Sequence, residues 1–396
     1  MKQIEKFNGK FYAELKPRYG SGLLASGTLL AKGLPELPIP IPVTTNHVQR
    51  LNTETSIRLD EVRKNKDMSF TGLGLCAIII DTGVFEHEML RGKIISWHTV
   101  NEDQHDVNDL HGHGTHMAGI IAAKPNDHSC MSIAPDARII SIKVTKNGSG
   151  STSWANIHRA LELALQFVQN PEKHTHGLRV GVINLSFNAL DCNTSRKSHK
   201  CHKITEVIAK LNKSGVPVVV SSGNGFEYMK KDGLGYPAYL PGVIPVGATF
   251  NFAFSRLPAN SLTTYSQRYE PEAPIDFLEP SVKKEIHGKI IYAPGACSIS
   301  LANSNGSHKF TTASGTSVSA AIVSACILLL QEKSLRTRRT TLSVSEIFSL
   351  LMSGSERFRN VSHPPSAAGG ISVANVYFDN KFYDCLNILN SLNTLI

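Results

Sequence analysis

Six consecutive apolar residues, Leu75-Cys-Ala-Ile-Ile-Ile80, run directly into Asp81-Thr-Gly83. A strand wetted on one face alternates apolar with polar residues; an unbroken run of this length requires apolar cover on both faces. Further strand-like segments follow at Ala137 to Val144, Arg179 to Leu185, Val216 to Val220 and Gly242 to Ala248. Between and after them come segments with helical spacing: Gly112 to Ala123, Ser151 to Val168, Lys203 to Leu211, and the almost wholly apolar stretch Thr316 to Gln331. Strands that alternate with helices predict an α/β fold: three layers, a mainly parallel central sheet and right-handed crossovers.

With 396 residues the chain can build one large core, and its 41% hydrophobic and 18% charged residues are those of a globular protein. The alternating pattern divides it into a Gly/Pro-rich extension at 1–56 (a pro-segment, an arm or a tail), a domain at 57–380 and a tail at 381–396. The net charge of +9 is spread without a basic stripe or a nucleic-acid-binding module, so no nucleic-acid partner is expected. No membrane span is expected either: the most apolar stretch, Ala320 to Leu330, is short and carries Ser324 and Cys326. The start, Met1-Lys-Gln-Ile-Glu-Lys-Phe7, has no apolar core of a secretory signal, which gives a cytoplasmic location as the expectation. Seven cysteines agree with a reducing compartment; Cys192 and Cys201 are the one plausible local pair, and no cysteine spacing is that of a zinc site.

Four segments carry chemistry. Asp81 stands at the carboxyl end of a buried strand, where open α/β sheets gather functional groups; it can orient an imidazole, bind a metal or simply cap a turn. The segment His111-Gly-His-Gly-Thr-His116 places three histidines in a row, but His113 and His116 are spaced i, i+3 with no Glu between, unlike a zinc helix. Ser317 opens the long apolar helix, where a serine serves either as a cap or as a rigidly held nucleophile beside helix N–H groups. Asn224 follows the strand at Val216 to Val220, between Gly223 and Gly225, either as a turn residue or as a donor to an oxyanion.

Taken together, Ile80-Asp-Thr-Gly83, His113-Gly-Thr-His-Met-Ala-Gly119 and Ser314-Gly-Thr-Ser317 resemble the three active-site motifs of subtilisin-like proteases, in that family's order of Asp, His and Ser. Ser222-Gly-Asn224 is similar to the segment with the family's oxyanion-hole Asn, and Asn184-Leu-Ser186 to its substrate-binding strand. Tyr236-Pro-Ala238, Val243 to Ala248 and Ala293-Pro-Gly295 extend the likeness, which runs from about Leu59 to Val376. Two departures stand out: Ala321 and Ile322 replace the family's usual Pro and His, and Asn188 replaces a Gly, so that a side chain narrows the substrate groove.

The resemblance implies a serine endopeptidase with Asp81, His113 and Ser317 as a triad and Asn224 in the oxyanion hole. Its protein or peptide substrate would lie extended between Leu185-Ser186-Phe187 and Ser221-Ser222-Gly223. No cofactor is implied in the chemistry; structural calcium is common in the family, and no ligands for it can be carried over. Alternatives on the same residues are a transpeptidase or macrocyclase, in which an amine intercepts the acyl-enzyme, and a catalytically inactive scaffold.

Overall fold

The computed structural model of the chain describes residues 23–25, 53–101, 106–124, 132–146, 148–188, 199–226, 232–251, 259–268, 289–304, 309–359 and 382–395, with backbone alone at 23–25 and 199–202. Most of the extension, including the Pro-rich stretch at 37–43, and the Cys192–Cys201 pairing lie outside the described residues.

The principal elements begin with β1 (Leu23–Ala25), α1 (Leu59–Lys64), β2 (Leu75–Asp81), β3 (Ile94–Thr99), α2 (His113–Ala122) and β4 (Arg138–Lys143). Next come β5 (Ser151–Thr152), α3 (Trp154–Gln169), β6 (Arg179–Leu185), β7 (Phe187–Asn188), α4 (His199–Lys213), β8 (Val218–Ser221) and β9 (Val243–Thr249). The chain then forms β10 (Ile291–Pro294), β11 (Ser298–Leu301), β12 (Phe310–Ala313), α5 (Thr316–Arg338) and α6 (Val344–Gly354), and closes with β13 (Glu356–Arg359), β14 (Phe382–Cys385) and α7 (Ile388–Thr394).

Nine of these strands make one sheet, in the order β13-β14-β10-β9-β8-β6-β2-β4-β3. Every neighbouring pair is parallel except β13 with β14. The chain leaves β4 on one side of β2 and returns as β6 on the other, so a crevice opens at the carboxyl end of β2. Alternation along β2 builds the two cores. Leu75, Ala77 and Ile79 face a cluster shared with α2, α5 and α6. Cys76, Ile78 and Ile80 face a second cluster with Ile157, Leu161 and Leu165 of α3 and Ile204, Ile208 and Leu211 of α4. The expected three layers are present, with a mostly parallel sheet between helices.

Three differences from the sequence reading have local causes. The helix expected from Ser151 starts at Trp154, because Ser153 caps it, its side chain accepting the Asn156 N–H at 3.2 Å, while Ser151 and Thr152 form β5. The segment expected as a C-terminal tail is built into the fold: β14 pairs with β10, and α7 buries Ile388 and Leu392 against α6. Such long-range pairing leaves no periodic signal in sixteen residues. The N-terminal boundary also sits slightly earlier, since Thr53 and Glu54 are already buried and Glu54 pairs with Arg63. Helix α5, long and apolar enough by composition to cross a membrane, is enclosed by the fold along nearly its whole length.

Helix α2 docks end-on against the turn after β2, and the fit depends on Gly114. A Cβ at this position would overlap the Gly83 carbonyl oxygen and come within 3.0 Å of Asp81 Cβ. The obstacle is backbone and cannot swing aside. Gly114→Ala is therefore expected to destabilise the protein by about 1–3 kcal/mol, the usual cost of overpacking, and to weaken any activity that needs Asp81 and His113 in contact. A denaturant midpoint equal to that of the parent would show that the contact yields.

Candidate active site

Asp81 ends β2 with its side chain fully buried. Its Oδ1 accepts the Thr82 N–H at 2.7 Å and lies 2.7 Å from His113 Nδ1. A carboxylate only accepts, so Nδ1 carries the hydrogen, and in the neutral ring Nε2 is left as the acceptor. Asp81 Oδ2 has no partner among the described residues.

His113 is the first residue of α2, whose N-cap, Gly112, offers no side chain. The capping work falls to Asp109, which sequence reading passed over. Its Oδ1 accepts from Thr82 Oγ1 at 2.9 Å, His111 N at 3.0 Å and Gly112 N at 2.8 Å. Its Oδ2 accepts from Thr115 N at 2.9 Å and Thr115 Oγ1 at 2.6 Å. One buried carboxylate thus gathers the helix start and, through Thr82, the turn that carries Asp81. A carboxylate just ahead of a glycine-opened helix is the signal that could have marked it. Thr82 Oγ1 closes the arrangement by accepting the Gly114 N–H at 3.0 Å.

Burial by itself would lower the pKa of His113. The charge and hydrogen bond of Asp81, with the charge of Asp109 behind, outweigh it and hold the imidazole above its ordinary value. One turn on, His116 is pushed down to about 3 by burial and then by His113, so it stays neutral. Neither of its ring nitrogens has a hydrogen-bond partner among the described residues. No group of three or more His, Cys, Asp or Glu side chains converges as a metal cage among the described residues.

Ser317 lies in the first turn of α5, which packs on β6, β8, β9 and α2. Its Oγ is buried and has no hydrogen-bond partner among the described residues. A buried hydroxyl left unpaired costs about 1–3 kcal/mol, so such a group is a candidate for function. Asn224 follows β8, and its Oδ1 accepts from both Thr316 N and Thr316 Oγ1 at 3.0 Å. Because the Thr316 N–H is a donor, oxygen must face it, and the Asn224 NH2 is turned the other way. Thr316 Oγ1 also receives the Gly223 N–H at 3.2 Å.

The groove residues divide into two groups. Ser186 Oγ, 3.0 Å from Asn184 Nδ2, lies 3.4 Å from the Ser317 carbonyl oxygen. The side chains of Leu185 and Phe187 are buried in the core facing α3 and α4, leaving only backbone to meet a ligand. At Ser221-Ser222-Gly223 the backbone is largely engaged: β8 is paired on both sides, the Ser222 N–H goes to Val246 O at 2.8 Å and the Gly223 N–H to Thr316. An interior strand has no free edge, whereas β7 pairs with β1, which pairs on its other side with Ser151 and Thr152 of β5. Asn188 is buried and reaches Ser221 Oγ at 3.0 Å, so its side chain crosses from β7 to β8.

A profile of the subtilase family matches residues 74–369. The serine protease AprX of Bacillus subtilis (strain 168) is 26% identical over 331 residues, 82% of this chain and 70% of that protein. Subtilisin DY of Bacillus licheniformis is 31% identical over 193 residues, 48% of this chain and 62% of its own length. The major intracellular serine protease of Bacillus subtilis (strain 168) is 26% identical over 289 residues, 71% and 76% of the two chains. Among solved structures, a cold adapted subtilisin-like serine proteinase superposes with a TM-score of 0.53 at 20% identity, over 81% of this chain and 90% of that one.

These kinships overturn the expectation of a cytoplasmic chain, because a protein named as intracellular and a subtilisin both stand among the relatives. The fold itself is neutral on the matter: Cys76, Cys297, Cys326 and Cys385 are free and buried, so the core around them depends on packing and not on a redox compartment. The motif order in the sequence, the parallel three-layer fold and the match across residues 74–369 agree: the chain belongs to the subtilase family and is a serine-type peptidase.

Proposed function

We propose that the chain is an endopeptidase that hydrolyses peptide bonds through an acyl-enzyme on Ser317, with His113 as the base and Asp81 as its orienting partner. The observation that carries this reading is the buried 2.7 Å contact between Asp81 and His113, which leaves Nε2 to accept a proton. Ser317 Oγ attacks the scissile carbonyl carbon as its proton passes to His113 Nε2, and the imidazolium then protonates the leaving amine. Asp81 stabilises that imidazolium. The Asn224 NH2 and a backbone N–H in the first turn of α5 receive the charge on the substrate oxygen. Each step uses groups of the chain and water, and none calls for a cofactor.

A fluorophosphonate probe is expected to label Ser317, and either Ser317→Ala or His113→Ala to abolish the labelling. Undiminished labelling of the His113→Ala protein would remove His113 from the mechanism.

The base works only when neutral. Activity should therefore be lost as pH falls through a single titration, and the raised pKa of His113 puts its midpoint above about 6.5, the value of a free imidazole. Asp109→Asn removes one negative charge near the ring and should move that midpoint to lower pH. An unmoved midpoint in a folded Asp109→Asn protein would confine Asp109 to capping.

Asn224→Asp separates structure from catalysis. It keeps an oxygen for Thr316 but replaces the NH2 with a second oxygen that repels the oxyanion. The expected loss is at least about 10²–10³-fold in kcat, the scale of removing one oxyanion donor, with little change in melting temperature. Near-normal kcat would make Asn224 a turn residue only.

A further inference from the structure

Lys143 closes β4 with only 1% of its side chain exposed. An ammonium taken out of water is costly unless it is paired, so this one calls for an account. In the ladder between β2 and β4 it stands opposite Asp81, and the Val144 N–H donates to the Asp81 carbonyl oxygen at 3.0 Å. Paired residues of a parallel ladder leave the sheet on the same face, so the Lys143 side chain sets out beside that of Asp81. Its Nζ reaches the loop ahead of α2, where it donates to the Asn108 carbonyl oxygen at 2.6 Å and lies 4.0 Å from Asp106 Oδ2.

That loop rests on the turn after β2. A Cβ on Gly83 would come within 2.9 Å of the Val107 carbonyl oxygen and 3.1 Å of the Asp109 nitrogen. Side chains hold two consecutive loop carbonyls: Asn108 O by Lys143, and Asp109 O by Asn303 Nδ2 at 3.1 Å. Asp106 Oδ1 accepts the Asn108 N–H at 2.9 Å, so Asn108 is fixed at both its N–H and its carbonyl. The next residue is Asp109, whose carboxylate takes donors from Thr82, His111, Gly112 and Thr115. A carboxylate meets that many donors only when its own backbone is in place, and a charged donor holds a carbonyl more firmly than a neutral one.

We propose that Lys143 is a positioning residue for the base His113: its ammonium pins the Asn108 carbonyl and so sets the Asp109 carboxylate beside the Asp81–His113 pair. The inference rests on the proposed role of His113. The charged and titratable groups around the His113 ring are Asp81 on β2, Asp109 and His111 on the loop and His116 on α2. Lys143 stands behind that loop. The sign of its effect separates this role from two others. A cation acting directly on the ring opposes protonation, so its loss would raise the pH at which His113 titrates. A cation acting through Asp109 keeps negative charge close to the ring, so its loss lowers that pH. A residue that only supports the fold leaves the pH unmoved, whatever it does to the melting temperature.

The rate at which the fluorophosphonate labels Ser317, followed against pH in the full chain, reads this titration without a choice of peptide substrate. Lys143→Met keeps much of the bulk and removes the charge and the donor. It should lower the acid-side midpoint, as Asp109→Asn does, and slow labelling at the plateau by about tenfold or more, the scale of a misplaced catalytic group. The double variant should share the midpoint of Asp109→Asn alone. A midpoint equal to or above that of the parent in folded Lys143→Met overturns the inference, as does a further fall in the double variant or an unmoved midpoint in Asp109→Asn. Should Lys143→Met show no cooperative melting, the neutral Lys143→Gln decides: a lowered midpoint supports the inference, and an equal or raised one overturns it. Any of these overturning results in a parent that labels normally leaves the endopeptidase reading standing. A parent chain that does not label at Ser317 overturns that reading, and the inference falls with it.

Discussion

A helix with no polar face has to be enclosed, and α5 is such a helix: from Thr316 to Leu330 every residue is buried. Enclosure dictates its surroundings. The sheet covers one flank through β6, β8, β9 and β10, and α2 lies along another. Because this stretch is inside, so is its first turn, and the Ser317 hydroxyl lies out of water with no hydrogen-bond partner among the described residues. A serine on a surface helix would find a water or a backbone carbonyl. The burial that stabilises the core thus also keeps this hydroxyl away from solvent.

The imidazole of His113 is positioned electrostatically. Two buried carboxylates flank the start of α2. Asp81 touches the His113 ring directly, whereas Asp109 spends both oxygens on hydrogen bonds to the helix start and to Thr82. A glycine N-cap alone would leave the first N–H groups of α2 unpaired. Asp109 takes the Thr115 N–H, Thr82 Oγ1 takes the Gly114 N–H, and Asp109 adds negative charge near the His113 ring. The neutral His116 one turn away places no second cation beside His113.

Interior strands such as β8 have both edges paired, so they can present turns and side chains at their ends but no free backbone along their length. β5 and β7 are short strands just past β4 and β6, and β1 pairs with both. Backbone pairing with an extended segment needs a strand edge, which an interior strand does not offer.

The sequence by itself determined the layered α/β fold, since continuous apolar runs such as Leu75 to Ile80 permit no one-sided sheet, and β6 begins and ends where its pattern predicts. It also singled out Asp81, His113, Ser317 and Asn224, which sit in short local motifs at strand ends and helix starts. What it left open depends on contacts between distant segments. Asp109 is an ordinary loop residue until five donors close on it. Ser151 and Thr152 look like the start of a helix until Ser153 caps that helix and a strand pairs beside them. Residues 382–395 look like a tail until β10 offers an edge and α6 an apolar face. The physical reason is common to all three: periodicity and capping are properties of neighbours in sequence, whereas a pairing edge or a shared carboxylate exists only once the chain has folded back on itself.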